Sequence, residues 1–433
     1  MTDTIFAPAT ASGKAGIAVI RVSGDKAGFA ARKITKSDAL FPRKAVLTPV
    51  YADGGEQLDE AIVIWFPHPH SFTGEDVVEF QTHGGRAVTA ALLKALAQID
   101  GCRMAERGEF TRRAVENGKM DLTAAEGLAD LIDAETDAQR KQALRQMNGA
   151  LADVYEGWRK EMTGILAWLE AYIDFPEEEL PDTVTASVRG KMIALKDKIT
   201  AHLADKRGER LRDGYKIAIV GAPNAGKSSL MNKLARKEAA IVSSTAGTTR
   251  DVIEVRMDIN GYPVTIADTA GLHETAEEIE AEGIKRALKA AQDADLIIHV
   301  VDGFAPQTNE LTHFEPEKTL LVVNKIDKMP AAPQDCVSVS AKTGDGIDAL
   351  LDRLGKTVED AMSVREEPSF TRLRHRQALT ECRDALERAL SAPETELAAE
   401  DVRMASRALG KITGQVGVEE LLDVIFKDFC IGK

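Results

Sequence analysis

Along the first hundred residues, short apolar runs at Ile17 to Val22, Ala61 to Phe66 and Val77 to Phe80 alternate with turns rich in Gly, Pro and Asp. That spacing predicts an α+β domain. From about Leu122 to Asp174 the period becomes helical, with Leu144, Met147, Leu151, Val154 and Trp158 on one stripe. Phe175, Pro176 and three glutamates break this helix, and a second helical stretch is expected from about Val184 to Leu211. Between residues 215 and 355 the runs IAIV, VTIAD, LIIHVVD, LLVVNK and VSVS alternate with helical spacing, the pattern of a parallel α/β sheet. After about Val364 the chain returns to Ala- and Leu-rich helices. Helical segments on both sides of an α/β segment read as one domain inserted into another. The expected division is 1–119, 120–213, 214–364 and 365–433, and no internal repeat is evident.

Composition narrows the class. At roughly 150 residues per domain, 433 residues imply about three domains. With 44% hydrophobic and 29% charged residues, disorder is excluded as the main character. The net charge of -14 argues against coating long nucleic acid, but it is unevenly spread: residues 1–119 are close to neutral, while the next two segments carry most of the acidity. Local contacts with RNA therefore stay open. Cys102, Cys336, Cys382 and Cys430 are scattered without a CxxC pair, which excludes a disulfide scaffold and a zinc ribbon. The opening MTDTIFAPATASGK does not read as a signal peptide, and the longest apolar runs are strand-length. A cytoplasmic protein with no membrane association is expected.

The chemistry is most legible in GAPNAGKS, Gly221 to Ser228, which follows an apolar strand and precedes a helical stretch. This is the setting in which backbone N–H groups and a helix N-terminus surround phosphates. Lys227 offers a point charge to the β and γ phosphates, and Ser228 a hydroxyl to magnesium. Thr248-Thr249-Arg250-Asp251 offers a threonine for magnesium, and Asp268-Thr269-Ala270-Gly271 a DxxG that senses the γ phosphate. Asn324-Lys325-Ile326-Asp327 closes a strand; the Asp327 carboxylate can accept from guanine N1–H and its N2 amine, donors that adenine does not present together. Ser340-Ala341-Lys342 can bind the base oxygen through backbone N–H. Five elements in this order read as a GTPase rather than an ATPase. Leu272 stands where Ras-like proteins carry the water-orienting glutamine, so either hydrolysis is very slow or another group serves; Glu277, Glu278, Glu280 and Glu282 are candidates, although an acidic helix face in solvent explains the same residues.

These motifs resemble the MnmE (TrmE) tRNA-modification GTPases. The resemblance runs from DTIFAPAT and GKAGIAVIRVSG through SFTGEDVVEFQTHGG and ERGEFTRRAVENGKMDLTAAEG to the terminal Cys430-Ile431-Gly432-Lys433. It implies a multidomain protein: an α+β N-terminal tetrahydrofolate-binding-like domain, a split all-α helical domain, and an inserted Ras-like α/β P-loop GTPase domain. It also implies a homodimer through the N-terminal domain and a heterotetramer-type complex with the flavoprotein MnmG. Together these partners place a carboxymethylaminomethyl or aminomethyl group on C5 of the wobble uridine of certain tRNAs. The one-carbon donor that the resemblance implies is 5-formyltetrahydrofolate or a related tetrahydrofolate.

The resemblance further implies GTP contacts at Asn224, Ala225, Gly226, Lys227, Ser228 and Ser229, and at Ser243, Ser244, Thr245, Ala246, Gly247, Thr248 and Thr249. Asp268, Thr269, Ala270, Gly271, Asn324, Lys325, Asp327, Ser340, Ala341 and Lys342 complete the nucleotide set. Magnesium falls to Ser228 and Thr249, and potassium to Asn224, Ser243, Thr245 and Thr248. Glu280 orients the water. Ser243-Ser244-Thr245 departs in side chain from the usual potassium loop, which backbone carbonyl ligation tolerates.

Folate binding is carried to Arg21, Glu79, Lys119 and Lys433. The residues alone read Arg21 and Glu79 each as one member of some strand-face ion pair, with no partner assigned. Cys430 is implied in the modification chemistry; by itself it is equally a buried structural thiol, or a reactive one on a flexible tail beside Gly432 and Lys433. A ribosome-assembly GTPase of the Era or Der kind is the rival reading. It lacks support in the single GTPase segment and in a C-terminus that reads as helix plus tail. A folate-binding partner with a degenerate GTPase is disfavoured by the complete motif set.

Overall fold

The computed structural model describes residues 3–175, 182–237, 253–268, 290–304, 315–330, 336–363, 367–415, 419–427 and 429–432. These fall into two units: Met1–Ala129 with Tyr155–Arg159 and Ser406–Lys433, and Asp130–Val154 with Lys160–Ala405.

In the first unit, β1 (Thr4–Pro8), β2 (Ala15–Ser23), β3 (Val46–Tyr51), β4 (Gln57–Phe66), β5 (Val77–Gly84) and β6 (Cys102–Met104) form one sheet in the order β3-β4-β5-β2-β1-β6. β1 and β6 pair parallel and the other neighbours antiparallel. Alternation along the strands puts Ile20, Val22, Val63, Val78 and Phe80 into a core shared with α1 (Ala27–Thr35) and α2 (Arg86–Ala97). The other face carries Leu47 and Ile62, opposite one another in register and both exposed, with Ile17 two strands away. α3 (Glu109–Glu116) leads to α4 (Leu122–Asp133), whose Leu122 and Ala125 are buried with Leu422, Phe426 and Phe429 in and after α13 (Glu419–Lys427).

The helical periodicity after residue 122 resolves into three helices rather than one. α4 is followed by α5 (Asp137–Met147) and α6 (Ala150–Asp174). Thr136 starts α5 with a reciprocal capping box to Gln139, and Asn148-Gly149 separates it from α6. The next stretch divides likewise into α7 (Asp182–Ala204) and α8 (Arg207–Asp213), because Asp205 accepts the Arg207 N–H and starts a new helix. Periodicity reports which face is apolar, and consecutive helices can keep that face without being continuous.

The second sheet consists of β7 (Tyr215–Val220), β8 (Ile253–Ile259), β9 (Tyr262–Asp268), β10 (Leu296–Asp302), β11 (Thr319–Asn324) and β12 (Val337–Ser338) in the order β12-β11-β10-β7-β9-β8. All pairings are parallel except β8 with β9. α9 (Lys227–Lys237) and α10 (Ile347–Met362) add Leu230, Leu234, Leu350 and Leu354 to a core with Ile217, Ile219, Ile266, Ile298 and Val322. Burying each such side chain contributes roughly 1.5–3 kcal/mol. α11 (Leu373–Ser391) packs on α7, and α12 (Thr395–Thr413) follows it. The chain is thus multidomain, with an α+β N-terminal domain, helices on either side in sequence of an α/β domain, and a phosphate-loop topology in the latter, as expected. Among the described residues no helix is long and apolar enough to cross a membrane.

Candidate functional site

The parallel register brings the sequence motifs to one end of the second sheet. Val220 lies opposite His299, Asp302 opposite Asn324, Val323 opposite Ser338, and Ile219 opposite Asp268. The loops after β7, β9, β10, β11 and β12 therefore leave the same carboxyl edge, where open α/β sheets bind their ligands.

The loop after β7 has the shape of a phosphate cradle. Gly226 has φ 96°, and a Cβ there would collide with the Asn324 carboxamide. Asn224 is also left-handed, with φ 64°. Lys227 Nζ donates to the carbonyls of Gly221 at 2.7 Å and Ala222 at 3.0 Å, which poises the ammonium over the loop. Ser228 and Ser229 are exposed on the first turn of α9, whose opening N–H groups have no helical acceptor. A cation, a hydroxyl and orphan amides on one turn fit a magnesium-bound triphosphate.

The base side is built around Asn324, only 2% exposed. Its Nδ2 donates to Ala225 O at 2.8 Å and its Oδ1 accepts the Ala341 N–H at 3.0 Å, so one side chain ties the phosphate loop to the base loop. Ser340 Oγ donates to Asp327 Oδ1 at 2.6 Å and accepts the Thr343 N–H at 3.1 Å. The Ser340 bond, with Lys342 and Lys328 nearby, holds the exposed Asp327 carboxyl below its usual range, so it is an acceptor at neutral pH. Lys325, left-handed at φ 65°, pairs with Asp302 at 2.6 Å, and that bond depresses the Asp302 pKa. Asp302 was not singled out from sequence; its position at the end of LIIHVVD, beside Asn324 in register, is the signal that points to it.

Of the remaining nucleotide and ion residues, Asp268 ends β9, and its side chain lies outside the described residues. So do Ser243, Ser244, Thr245, Ala246, Gly247, Thr248, Thr249, Thr269, Ala270, Gly271 and Glu280 in full.

In the first unit, Arg21 and Glu79 are cross-strand partners, and the structure pairs them with each other: Arg21 Nε and Nη2 lie 3.0 and 2.9 Å from Glu79 Oε1. Both contacts go to one carboxylate oxygen. The guanidinium sits 5.2 Å from the centre of the Phe72 ring and 5.8 Å from that of Phe110. Lys119 Nζ donates to Pro69 O at 3.0 Å and packs against Gly74, on the loop that carries Phe72. Aromatic walls, a carboxylate and cations suit a flat heterocycle with an acidic tail. Lys433 lies outside the described residues.

The C-terminal segment is docked, contrary to the flexible tail entertained from sequence. The Gly108 N–H reaches Cys430 O at 3.4 Å, Ile431 bridges Arg107 antiparallel, and a Cβ on Gly432 (φ 100°) would collide with Pro8 O. The Cys430 residue itself is exposed. Beneath Gly108 lies an ionic network. Glu109 accepts from Arg103 at 2.6 Å, Arg113 at 2.9 Å and the Glu106 N–H at 2.9 Å. Burial pushes the Glu109 pKa up, but the bonds from Arg103, the Glu106 amide and Arg113 outweigh it and hold the pKa at about 2. Arg113 also reaches Glu75 at 3.1 Å, and Arg112 joins Glu116 and Asp423. Arg103, Arg112 and Arg113 are thereby paired with carboxylates of their own chain, and Arg107 is exposed.

Comparison with known proteins gives a family match over nearly the whole chain. Residues 4–119 match the model described as GTP-binding protein TrmE N-terminus, and residues 122–430 that of the MnmE helical domain. The tRNA modification GTPase MnmE of Parvibaculum lavamentivorans is 55% identical over 438 residues, spanning 100% of both chains. Those of Rhodospirillum rubrum and Paramagnetospirillum magneticum are 53% and 51% identical, each over 100% of this chain and 99% and 100% of theirs.

Proposed function

This chain belongs to the MnmE family, and from that premise we propose that it is a GTPase of tRNA modification, acting with the flavoprotein MnmG on C5 of the wobble uridine. The observation that carries the GTPase reading is the Asn324 bridge, which joins a lysine-bearing phosphate cradle to a carboxylate suited to guanine at one sheet edge.

In this reading Lys227 donates to the β and γ phosphates, and Asp327 accepts from guanine N1–H and N2–H. Ser228, with Thr249, holds magnesium, which neutralises charge on the phosphates when bound. Asn224, Ser243, Thr245 and Thr248 hold potassium where an arginine finger would otherwise place positive charge, and Glu280 orients the water. Arg21, Glu79, Lys119 and Lys433 hold a tetrahydrofolate, and the docked tail keeps Cys430 at the edge of the same domain. The division into 1–119, 120–213, 214–364 and 365–433 is part of the proposal. So is a homodimer through the N-terminal domain, supported by the exposed apolar sheet face of Ile17, Leu47 and Ile62.

Two measurements test this reading. tRNA from cells lacking the protein is expected to lose the C5-modified wobble nucleoside on mass analysis; an unchanged profile refutes the modification role. GTP hydrolysis is expected to run at least about tenfold faster in potassium than in sodium, since the cation replaces an arginine finger. Equal rates would remove the potassium assignment while leaving the GTPase itself in place.

A further inference from the structure

The two switch motifs are joined by a single hairpin. β8 begins at Ile253, four positions after Thr249, and β9 ends on Asp268, the first residue of DTAG. The strands pair without a slip from Ile253 opposite Asp268 to Ile259 opposite Tyr262. Their two-residue turn is Asn260-Gly261, with φ 54° and 84°, the pairing of signs that a tight type I′ hairpin demands. Gly261 N–H closes it on Asp258 Oδ1 at 2.6 Å.

This turn is bound at its tip to α5. The Gly261 carbonyl accepts the N–H of Ala138 at 3.1 Å. Ala138 is the second residue of α5, so its amide has no acceptor within the helix; the capping box satisfies Gln139 instead. Ala138 is 7% exposed and belongs to the same apolar core as Met257, Ile259, Val264 and Ile266. On the other flank, the Asn260 side chain lies against Gly355 of α10, where a Cβ would collide with it.

Successive turns of α5 bond to both places where the chain crosses into and out of the α/β domain. Gln139 Nε2 donates to Arg212 O at 3.3 Å and Gln142 Nε2 to Gly208 O at 3.4 Å, both on α8 before β7. Gln146 Oε1 accepts from Thr371 Oγ1 at 3.3 Å, after α10. One eleven-residue helix thus touches the strands between the switches at its first turn and the two connecting segments along its remaining length.

We infer that α5 is the coupling helix of this GTPase: the Ala138–Gly261 hydrogen bond transmits the nucleotide-dependent position of the switch hairpin to α5, and α5 passes it to the segments on which the α/β domain is mounted. The inference rests on the nucleotide reading above, and concerns how that site is felt elsewhere rather than what it hydrolyses. Because β8 and β9 are bonded in register along their whole length, displacement of either switch moves the turn, and the turn has its polar anchor on α5.

The test is hydrogen exchange on the full-length protein with GDP and with GDP plus aluminium fluoride. In the wild type, amides of residues 140–147 are expected to differ about fivefold in exchange between the two states, the equilibrium value of one hydrogen bond. Ala138→Pro removes the donor while keeping a residue that the first helical turn accepts. It is expected to abolish that difference while the difference in residues 253–268 persists, and Ala138→Gly, which keeps the N–H, should retain both. If 253–268 responds to nucleotide in the wild type and 140–147 does not, the coupling is overturned, and this arm decides even if the proline variant does not fold. A proline variant that keeps the α5 difference overturns it equally. If neither nucleotide raises the melting temperature, the nucleotide reading has failed and takes the coupling with it.

Discussion

Asp327→Asn is expected to weaken GTP binding about a thousandfold and to make xanthosine triphosphate the preferred ligand. The carboxylate has only acceptor oxygens, which match two adjacent donors on guanine, N1–H and N2–H. An amide keeps one acceptor and presents an NH2 to the guanine amine, donor against donor. Xanthine has a carbonyl at that position, so the same NH2 then finds an acceptor. The fold should be indifferent to the change. Asp327 is exposed, and the oxygen that accepts from Ser340 is retained in the amide. Equilibrium titration with both nucleotides, beside a melting curve, checks this. A GTP dissociation constant within tenfold of wild type would mean that the base is held elsewhere, and the guanine assignment would fall.

That prediction could be framed from sequence because nucleotide motifs are local: GAPNAGKS and NKID carry their own turns and their own chemistry. The α/β alternation of residues 215–355 was legible for the same reason, since each strand is a continuous apolar run. What sequence could not supply is pairing over distance. Arg21 and Glu79 are 58 residues apart, and only the β2–β5 register makes them partners. Asn324 was legible as a base contact, but its grip on Ala225 depends on two loops meeting at a sheet edge. Gly432 looks unremarkable in a short tail until Pro8, from the other end of the chain, leaves no room for a side chain. The helical stretch from Leu122 to Asp174 misled in the opposite way: its apolar stripe is real, but stripe continuity does not reveal the capping box at Thr136 that starts a new helix.

Glu109→Gln is expected to destabilise the N-terminal α+β domain by about 3 kcal/mol at pH 7. The carboxyl pKa moves from 4.5 to about 2 on folding, and each unit is worth about 1.4 kcal/mol. A buried carboxylate lost from between two arginines reaches a similar figure by a separate route, roughly 3–5 kcal/mol. Glutamine has the shape of the protonated acid, so it removes charge and leaves packing alone. Arg113, nearly buried, then keeps only Glu75, which in turn anchors Ser23 and the 71–76 loop. The pH dependence has a definite sign. A carboxyl held below its unfolded pKa contributes in full above about pH 4.5 and loses that contribution as pH falls toward 2. The gap between wild type and variant should therefore be constant from pH 7 to about pH 5 and shrink to roughly half by pH 3. Urea denaturation at pH 7 and pH 3, followed by tryptophan fluorescence, measures it. A gap that does not change with pH would assign the loss to packing and not to the ionised carboxylate. Because Gly108, whose N–H reaches Cys430, immediately precedes Glu109, the variant should also loosen the docked segment, read as faster hydrogen exchange of the Gly108 amide at pH 7.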